Sequence, residues 1–360
     1  MSEPIVTRAR EATQLEHGAA LVLEPLRRYL DEVGLGRGEL SAQPIGDGHS
    51  NLTFLIERGD ERFVLRRPPR GELAPSANDV IREARVLEAL DATALPLPSV
   101  LAQCDDPEVI GAPFFVMDFI GGSPINDGLP AELDQPGAPQ TISDAVVSAL
   151  VTLHDADLET SGLSSFGRRS GYLQRQLELF GSLLDRNKTR PLPDLDAASD
   201  WLSANLPTSP ESTFVHGDFR LGNLLFAAPL HLAAVLDWEM ATVGDPLADL
   251  GYCVAMWTEA GDAPNPMFAL SRLTQQPGFP GRAEIARRYA ERTGRSLELL
   301  PWYEVFALWK SAIFLEGSHR RHVNGASQDP YFSSLADGVP ALAGAVAERI
   351  RRYERAARAR

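Results

Sequence analysis

Three polar residues, spread over two short apolar runs, have the types and spacing to move a phosphoryl group. In "FVHGDFRLGNLLF" (214–226), Asp218 and Asn223 are five residues apart, and Asp237 follows fourteen residues later at the end of "AAVLD". A side-chain carbonyl and a carboxylate are the hard oxygen ligands that Mg²⁺ takes beside phosphate oxygens and water. Assigning that work to Asn223 and Asp237 leaves Asp218 to orient a hydroxyl and accept its proton. A metal that neutralises phosphate and a base that addresses the nucleophile are the parts phosphoryl transfer requires. The alternative is three unrelated polar residues in two solvated turns.

The elements around these residues must hold them still. "TFV" and "LLF" read as short buried strands that fix the loop at both ends. "NLLF" and "AAVLD" read as a hairpin that brings Asn223 and Asp237 side by side. "GDPLADLGYCVAMW" opens a helix, with Asp245 as its cap and Pro246 in its first turn. Asp249 inside that helix is expected to brace the loop and do no chemistry; His216 braces the loop too, or touches substrate. Further upstream, residues 41–120 read as strand, strand, strand, helix, strand, strand, with a hairpin turn at Gly59-Asp60. Apolar residues at helical spacing predict a leading helix over about 6–33. After "GGSP" (121–124) the pattern turns helical, beginning with 141–157, which Thr141 or Ser143 would cap. The reading is an α+β, two-lobed layout: a mixed N-terminal lobe over 1–117, a connector at 118–124 and a helical lobe over 125–360.

"HGDFRLGN" together with "VLDWEMATVGDPLADL" resembles the aminoglycoside phosphotransferase family, kinase-like enzymes that phosphorylate small molecules. "GDGHSNLTF", "FVLRRPP", "FFVMDFIGG", "TLHDAD" and "SGYLQRQ" resemble, in the same order, the kinase-like domain fused to some acyl-CoA dehydrogenases. The resemblance implies a protein-kinase-like fold with ATP in a cleft between lobes. It implies Asp218 as catalytic base, Asn223 and Asp237 as Mg²⁺ ligands, and Met117, Asp118 and Phe119 beside the nucleotide.

On that template, Gly46, Gly48 and Ser50 in "GDGHSN" offer backbone amides and a hydroxyl to phosphates, or form an ordinary hairpin turn. Glu83 occupies the helix position of the glutamate that pairs with a kinase's strand lysine, or is an ordinary solvated helix glutamate. That lysine is missing: the chain has only Lys188 and Lys310, both outside the N-terminal lobe. Arg66 is its expected substitute. Arg67, its neighbour on the strand, must then face away, and its loss is expected to do little to ATP binding or turnover. Arginine keeps the charge but presents a planar fork of donors. Glu239 either reaches the metal or points to water. His319, Arg320, Arg321 and His322 suit a solvated helix end, or an anionic group of a substrate.

Composition fits this reading. With 44% apolar and 23% charged residues the chain is that of a globular protein, and a net charge of −15 disfavours nucleic acid or an anionic membrane as partner. Cys104 and Cys253 are too few for a disulfide scaffold. No apolar run spans a membrane and "MSEPIVTRARE" lacks a signal core, so the expected home is the cytoplasm and the expected partner a small hydroxyl-bearing molecule. Two rival readings are a catalytically silent nucleotide-binding module and a metal-dependent phosphoesterase built on His216, Asp218 and Asp237. The second leaves Asn223 unexplained. A protein kinase would carry H-R-D, D-F-G and A-P-E, which are absent.

Overall fold

Strand alternation sets the architecture of the N-terminal half. Phe54 and Ile56 on one strand, and Phe63 and Leu65 on the next, share one face of a hairpin and are buried there. The computed structural model describes residues 4–12, 15, 18–46, 51–70, 78–208, 211–262, 272–325 and 330–358. Within it the chain forms two compact units, Met1–Gly121 with Leu236–Glu239, and Gly122–Val235 with Met240–Arg360.

The first unit contains β1 (Ile5–Val6), α1 (Ala9–Ala12), β2 (Leu21–Val22), α2 (Leu23–Glu32), β3 (Leu40–Pro44), β4 (Leu52–Arg58), β5 (Glu61–Arg67), α3 (Val80–Leu90), β6 (Val100–Cys104), α4 (Pro107–Ile110) and β7 (Phe114–Asp118). Five of the strands make an antiparallel sheet in the order β3-β4-β5-β7-β6. Leu26 and Leu30 of α2 join Phe54, Ile56, Phe63, Leu65, Phe114 and Val116 in its core. Each such side chain contributes about 1.5–3 kcal/mol of transfer free energy. Gly59 makes the β4–β5 turn at φ = 59°, and a Cβ there would lie 2.6 Å from the Arg37 carbonyl oxygen, so no larger residue fits.

The predicted helix over 6–33 is not continuous. Leu21 and Val22 pair in parallel with Ile5 and Val6, Gly18 turns the chain at φ = 69°, and the helix begins only at Leu23. The apolar stripe was real, but its first part is buried through strand pairing.

The second unit contains β8 (Ser123–Pro124), α5 (Ala138–His154), α6 (Tyr172–Asn187), α7 (Pro193–Ala204), β9 (Thr213–Val215), β10 (Leu224–Ala227), β11 (His231–Val235), β12 (Thr242–Gly244), α8 (Pro246–Met256), α9 (Arg282–Thr293), α10 (Leu300–Val323), α11 (Pro330–Ser333) and α12 (Leu335–Arg358). Helix α10 is its axis. Trp302, Tyr303, Phe306 and Trp309 are fully buried, and α6, α7, α8 and α12 pack around them. A helix apolar on every side belongs in a core. Helix α5 starts three residues before the predicted Thr141, behind a left-handed Gly137, and the Ser143 hydroxyl donates to the Pro139 carbonyl (2.6 Å) instead of capping. Asp245 does cap α8, accepting from the Leu247 amide at 2.9 Å. Among the described residues no helix is long and apolar enough to cross a membrane.

Candidate active site

In the helical unit, β9 delivers the chain to His216, Gly217 and Asp218, and a single carboxylate fixes the bend that follows. Asp249, buried in the first turn of α8, accepts from the His216 amide at 2.6 Å and from the Gly217 amide at 2.8 Å. His154 stands 3.4 Å away through Nε2, and its Nδ1 lies 2.7 Å from the Tyr289 hydroxyl. Burial works against the charge on Asp249, but the His154 bond, the neighbouring histidines and the His216 amide win and hold it below its ordinary value. Gly217 has φ = 85°, and a Cβ there would come within 2.8 Å of the Met240 carbonyl oxygen.

Asp218 is built into this loop from both sides. Its amide donates to His216 Nδ1 at 3.2 Å, and wholly buried Phe219 anchors the chain after it. The side-chain amide of Asn223 donates to both the carbonyl and the Oδ2 of Asp218, each at 2.8 Å. Arg220 Nε stands 3.6 Å from Oδ1. The Tyr252 hydroxyl also bonds the carboxylate; burial first, and then this negative charge, keep the phenol protonated. The Asp218 side chain remains 20% exposed, so a hydroxyl can reach it. Because the Asn223 nitrogen is spent on Asp218, its carbonyl oxygen is left without a hydrogen bond among the described residues. Asn223 leads into β10, which pairs with β11 from Leu224↔Val235 onward, the predicted hairpin.

In the sheet-rich unit, Val64 and Arg66 occupy the face of β5 opposite Leu65 and Arg67. Arg66 Nε lies 2.9 Å from Glu83 Oε2, a buried ion pair whose angle is too poor for a hydrogen bond. Its Nη2 is hydrogen-bonded to Asp237 Oδ1 and stands 3.8 Å from Glu239 Oε2. Burial opposes the guanidinium's charge, but Glu83, Asp237 and Glu239 outweigh it and raise its proton affinity. Glu83 sits in the first turn of α3, where Asp79 caps the helix by accepting from the Arg82 amide at 2.9 Å. Its Oε1 accepts from the Trp238 amide at 3.3 Å. Burial, opposed by Arg66 and aided by Asp237 and Glu239, pushes it up to about 7. Glu239 accepts from the Asn51 side chain at 2.9 Å, and Asn78 in turn donates to Asn51 at 3.0 Å. Asp237 has φ = 69°, an uncommon backbone for a residue with a Cβ and a mark of functional sites. Among the described residues one guanidinium faces three carboxylates, a formal excess of two negative charges.

Of the other predicted residues, Gly46 has the left-handed φ of 75° that a glycine allows, while Gly48 and Ser50 lie outside the described residues. Met117 pairs with Val64, and Asp118 with Phe63. The Phe119 ring lies under the Arg62 guanidinium, 4.3 Å from its centroid. Arg67 leaves the face of β5 opposite Arg66, as expected, and its burial is what the sequence did not show. It is 4% exposed and donates to the carbonyls of Pro68 (3.1 Å), Ala20 (2.6 Å) and Ile110 (3.2 Å). Sequence reasoning also passed over Tyr252, although it follows Asp249 by three residues on α8 and so shares a side of that helix. Among the described residues no three His, Cys, Asp or Glu side chains form a metal cage.

One unit with a five-stranded sheet carrying an Arg–Glu pair, and one helical unit carrying an H-G-D loop, define a kinase-like fold. Residues 41–296 match the model of the phosphotransferase enzyme family, and the chain belongs to that family. It is 33% identical over 313 residues to acyl-CoA dehydrogenase family member 10 of Mus musculus, covering 85% of this chain and 29% of that protein. It is 31% identical over 313 residues to family member 11 of Homo sapiens, covering 85% of this chain and 40% of that protein. The chain thus spans less than half the length of these relatives. Among solved structures it is similar to a Ralstonia eutropha protein provisionally described as an aminoglycoside phosphotransferase, with TM-score 0.76, 29% identity, and coverage of 92% of this chain and 99% of that one. It shares its fold with aminoglycoside phosphotransferase APH(4)-Ia, solved with AMP-PNP and hygromycin B, at TM-score 0.59 and 18% identity over 91% of this chain and 98% of that one. Family membership supports phosphoryl transfer to a small molecule as the class of chemistry.

Proposed function

We propose that this chain transfers the γ-phosphate of ATP to a hydroxyl group of a small molecule, with Mg²⁺ as cofactor. The observation that carries the reading is the Asp218 carboxylate: partly exposed, held by Asn223 and Tyr252, on a loop clamped by Asp249. A carboxylate so fixed can orient an acceptor hydroxyl and take its proton as the oxygen attacks phosphorus. Arg66, steadied by Glu83, would grip phosphate oxygens; Gly46, Gly48 and Ser50 would add amide and hydroxyl donors, and Met117, Asp118 and Phe119 would contact the nucleotide. Asn223 and Asp237 would hold the metal. Their chemistry fits: an amide oxygen with no partner of its own, and a carboxylate in a cluster with an excess of negative charge. When bound, Mg²⁺ supplies the positive charge that offsets the phosphates.

The relatives named as acyl-CoA dehydrogenase family members support a hydroxyacyl-CoA or a hydroxy acid as acceptor. An aminoglycoside-like or choline-like alcohol is the alternative within the same chemistry. One observation favours a catalytically silent, nucleotide-binding module instead: Arg66 stands where such folds carry lysine. ATP consumption and product mass, measured against hydroxyacyl-CoAs, hydroxy acids, choline and aminoglycosides, separate these readings. The expected result is a phosphorylated hydroxyacyl product that requires both ATP and Mg²⁺. Nucleotide binding without turnover on any acceptor would favour the silent module.

A further inference from the structure

The chain has only two lysines, and one of them is buried in the helical unit behind the candidate base. Lys310 lies midway along α10, is 8% exposed, and interrupts the apolar run "FALWKSAIF". Its Nζ stands 4.7 Å from the Phe180 ring centroid and 5.2 Å from that of Phe306, and no carboxylate comes within ion-pair distance among the described residues. Two ring faces satisfy part of an ammonium's demand, but not its three N–H donors. Beside it lies a cavity of about 10 Å³, lined by Tyr172, Gly217, Asp249, Tyr252, Phe306 and Lys310. That is room for about one water, and the lining carries the several polar groups a buried water needs.

This cavity adjoins the clamped bend of the loop. Gly217 and Asp249 belong to the bend itself, and Tyr252 hydrogen-bonds both Asp218 and Ser311, the residue beside Lys310. We infer that Lys310 is a positioning residue for phosphoryl transfer: its ammonium, through one water in this cavity, ties α10 to the Gly217–Asp218 bend and biases Asp218 with a buried positive charge. The inference rests on Asp218 being the base. The titratable groups lining the cavity are Tyr172 from α6 and Asp249 and Tyr252 from α8; Asp218, in the loop, also acts on the lysine's charge. Burial, the largest effect on each phenol, keeps both neutral. For Lys310, burial outweighs the attraction of Asp249 and Asp218 and brings it down to about 8. The charge is therefore present at neutral pH and lost under mildly alkaline conditions.

Having only two lysines makes this directly testable. In protein labelled with ¹⁵N-lysine, Lys188 and Lys310 give two resonances. The slower-exchanging one is expected to titrate near 8 in the wild type and at least half a pH unit lower in Asp218→Asn, because the variant removes a carboxylate that favours the ammonium. Turnover is expected to fall with the same alkaline midpoint. Lys310→Met should lower kcat at least tenfold, leave the KM for ATP nearly unchanged and abolish that alkaline limb. A Lys310 midpoint that does not move in Asp218→Asn would overturn the inference, and this result needs no lysine variant to fold. Full turnover by Asp218→Asn is the separate outcome that would remove the base assignment.

Discussion

Adjacent arginines on one strand do unlike work because their side chains leave opposite faces. Arg66 is surrounded by carboxylates, whereas Arg67 is surrounded by carbonyl oxygens. Replacing Arg66 with Ala removes a cation from a cluster rich in carboxylates, and we expect the KM for ATP to rise or turnover to fall by tenfold or more. Arg67→Ala leaves buried acceptors unpaired, and at such sites the loss is about 2–4 kcal/mol. Chemical denaturation and steady-state kinetics on both variants check this: Arg67→Ala should lose stability while keeping its KM for ATP. Equal kinetic losses in both variants would contradict the division. The sequence made the alternation of faces legible. It did not reveal that Arg67 ties β5 to the chain before α2 and to α4, because Ala20 and Ile110 are 47 and 43 residues away from it.

Among the elements, the contact between the start of α8 and the end of β9 sets the shape of the loop. Asp249 accepts two consecutive backbone amides, so the loop's shape is written into a helix side chain. Asp249→Asn puts an NH₂ group where one of two acceptors was needed, setting donor against donor in a buried site. We expect at least a tenfold loss of kcat and a lower melting temperature, with a smaller change in KM for the acceptor. Kinetics and thermal melts on this variant measure both, and a variant with wild-type kcat would show that the loop does not need its clamp. The motif spacing and the β10–β11 hairpin were legible because they are local in sequence. The rest of the clamp was not: His154 lies 95 residues before Asp249 and 135 before Tyr289. The leading segment failed for the same reason, since no local period tells Leu21 and Val22 that they will pair with Ile5 and Val6.

For the molecule as a whole, the two units divide the chemistry by charge. The sheet-rich unit holds an arginine among carboxylates, and the helical unit holds an aspartate whose carboxylate faces the Asn223 amide, the Tyr252 hydroxyl and Arg220. Lys310, the charged residue within "FALWKSAIF", adds a buried cation behind that aspartate, a place the sequence reading did not foresee. In the proposed reaction Asp218 accepts the proton of the acceptor hydroxyl. The most direct measurement is ATP-dependent phosphorylation by wild type and Asp218→Asn, on an acceptor that the wild type turns over, with nucleotide affinity measured in parallel. Asparagine keeps the shape and removes the base. The expected result is a fall in kcat of about a hundredfold or more with ATP affinity nearly unchanged. Turnover equal to the wild type would contradict it.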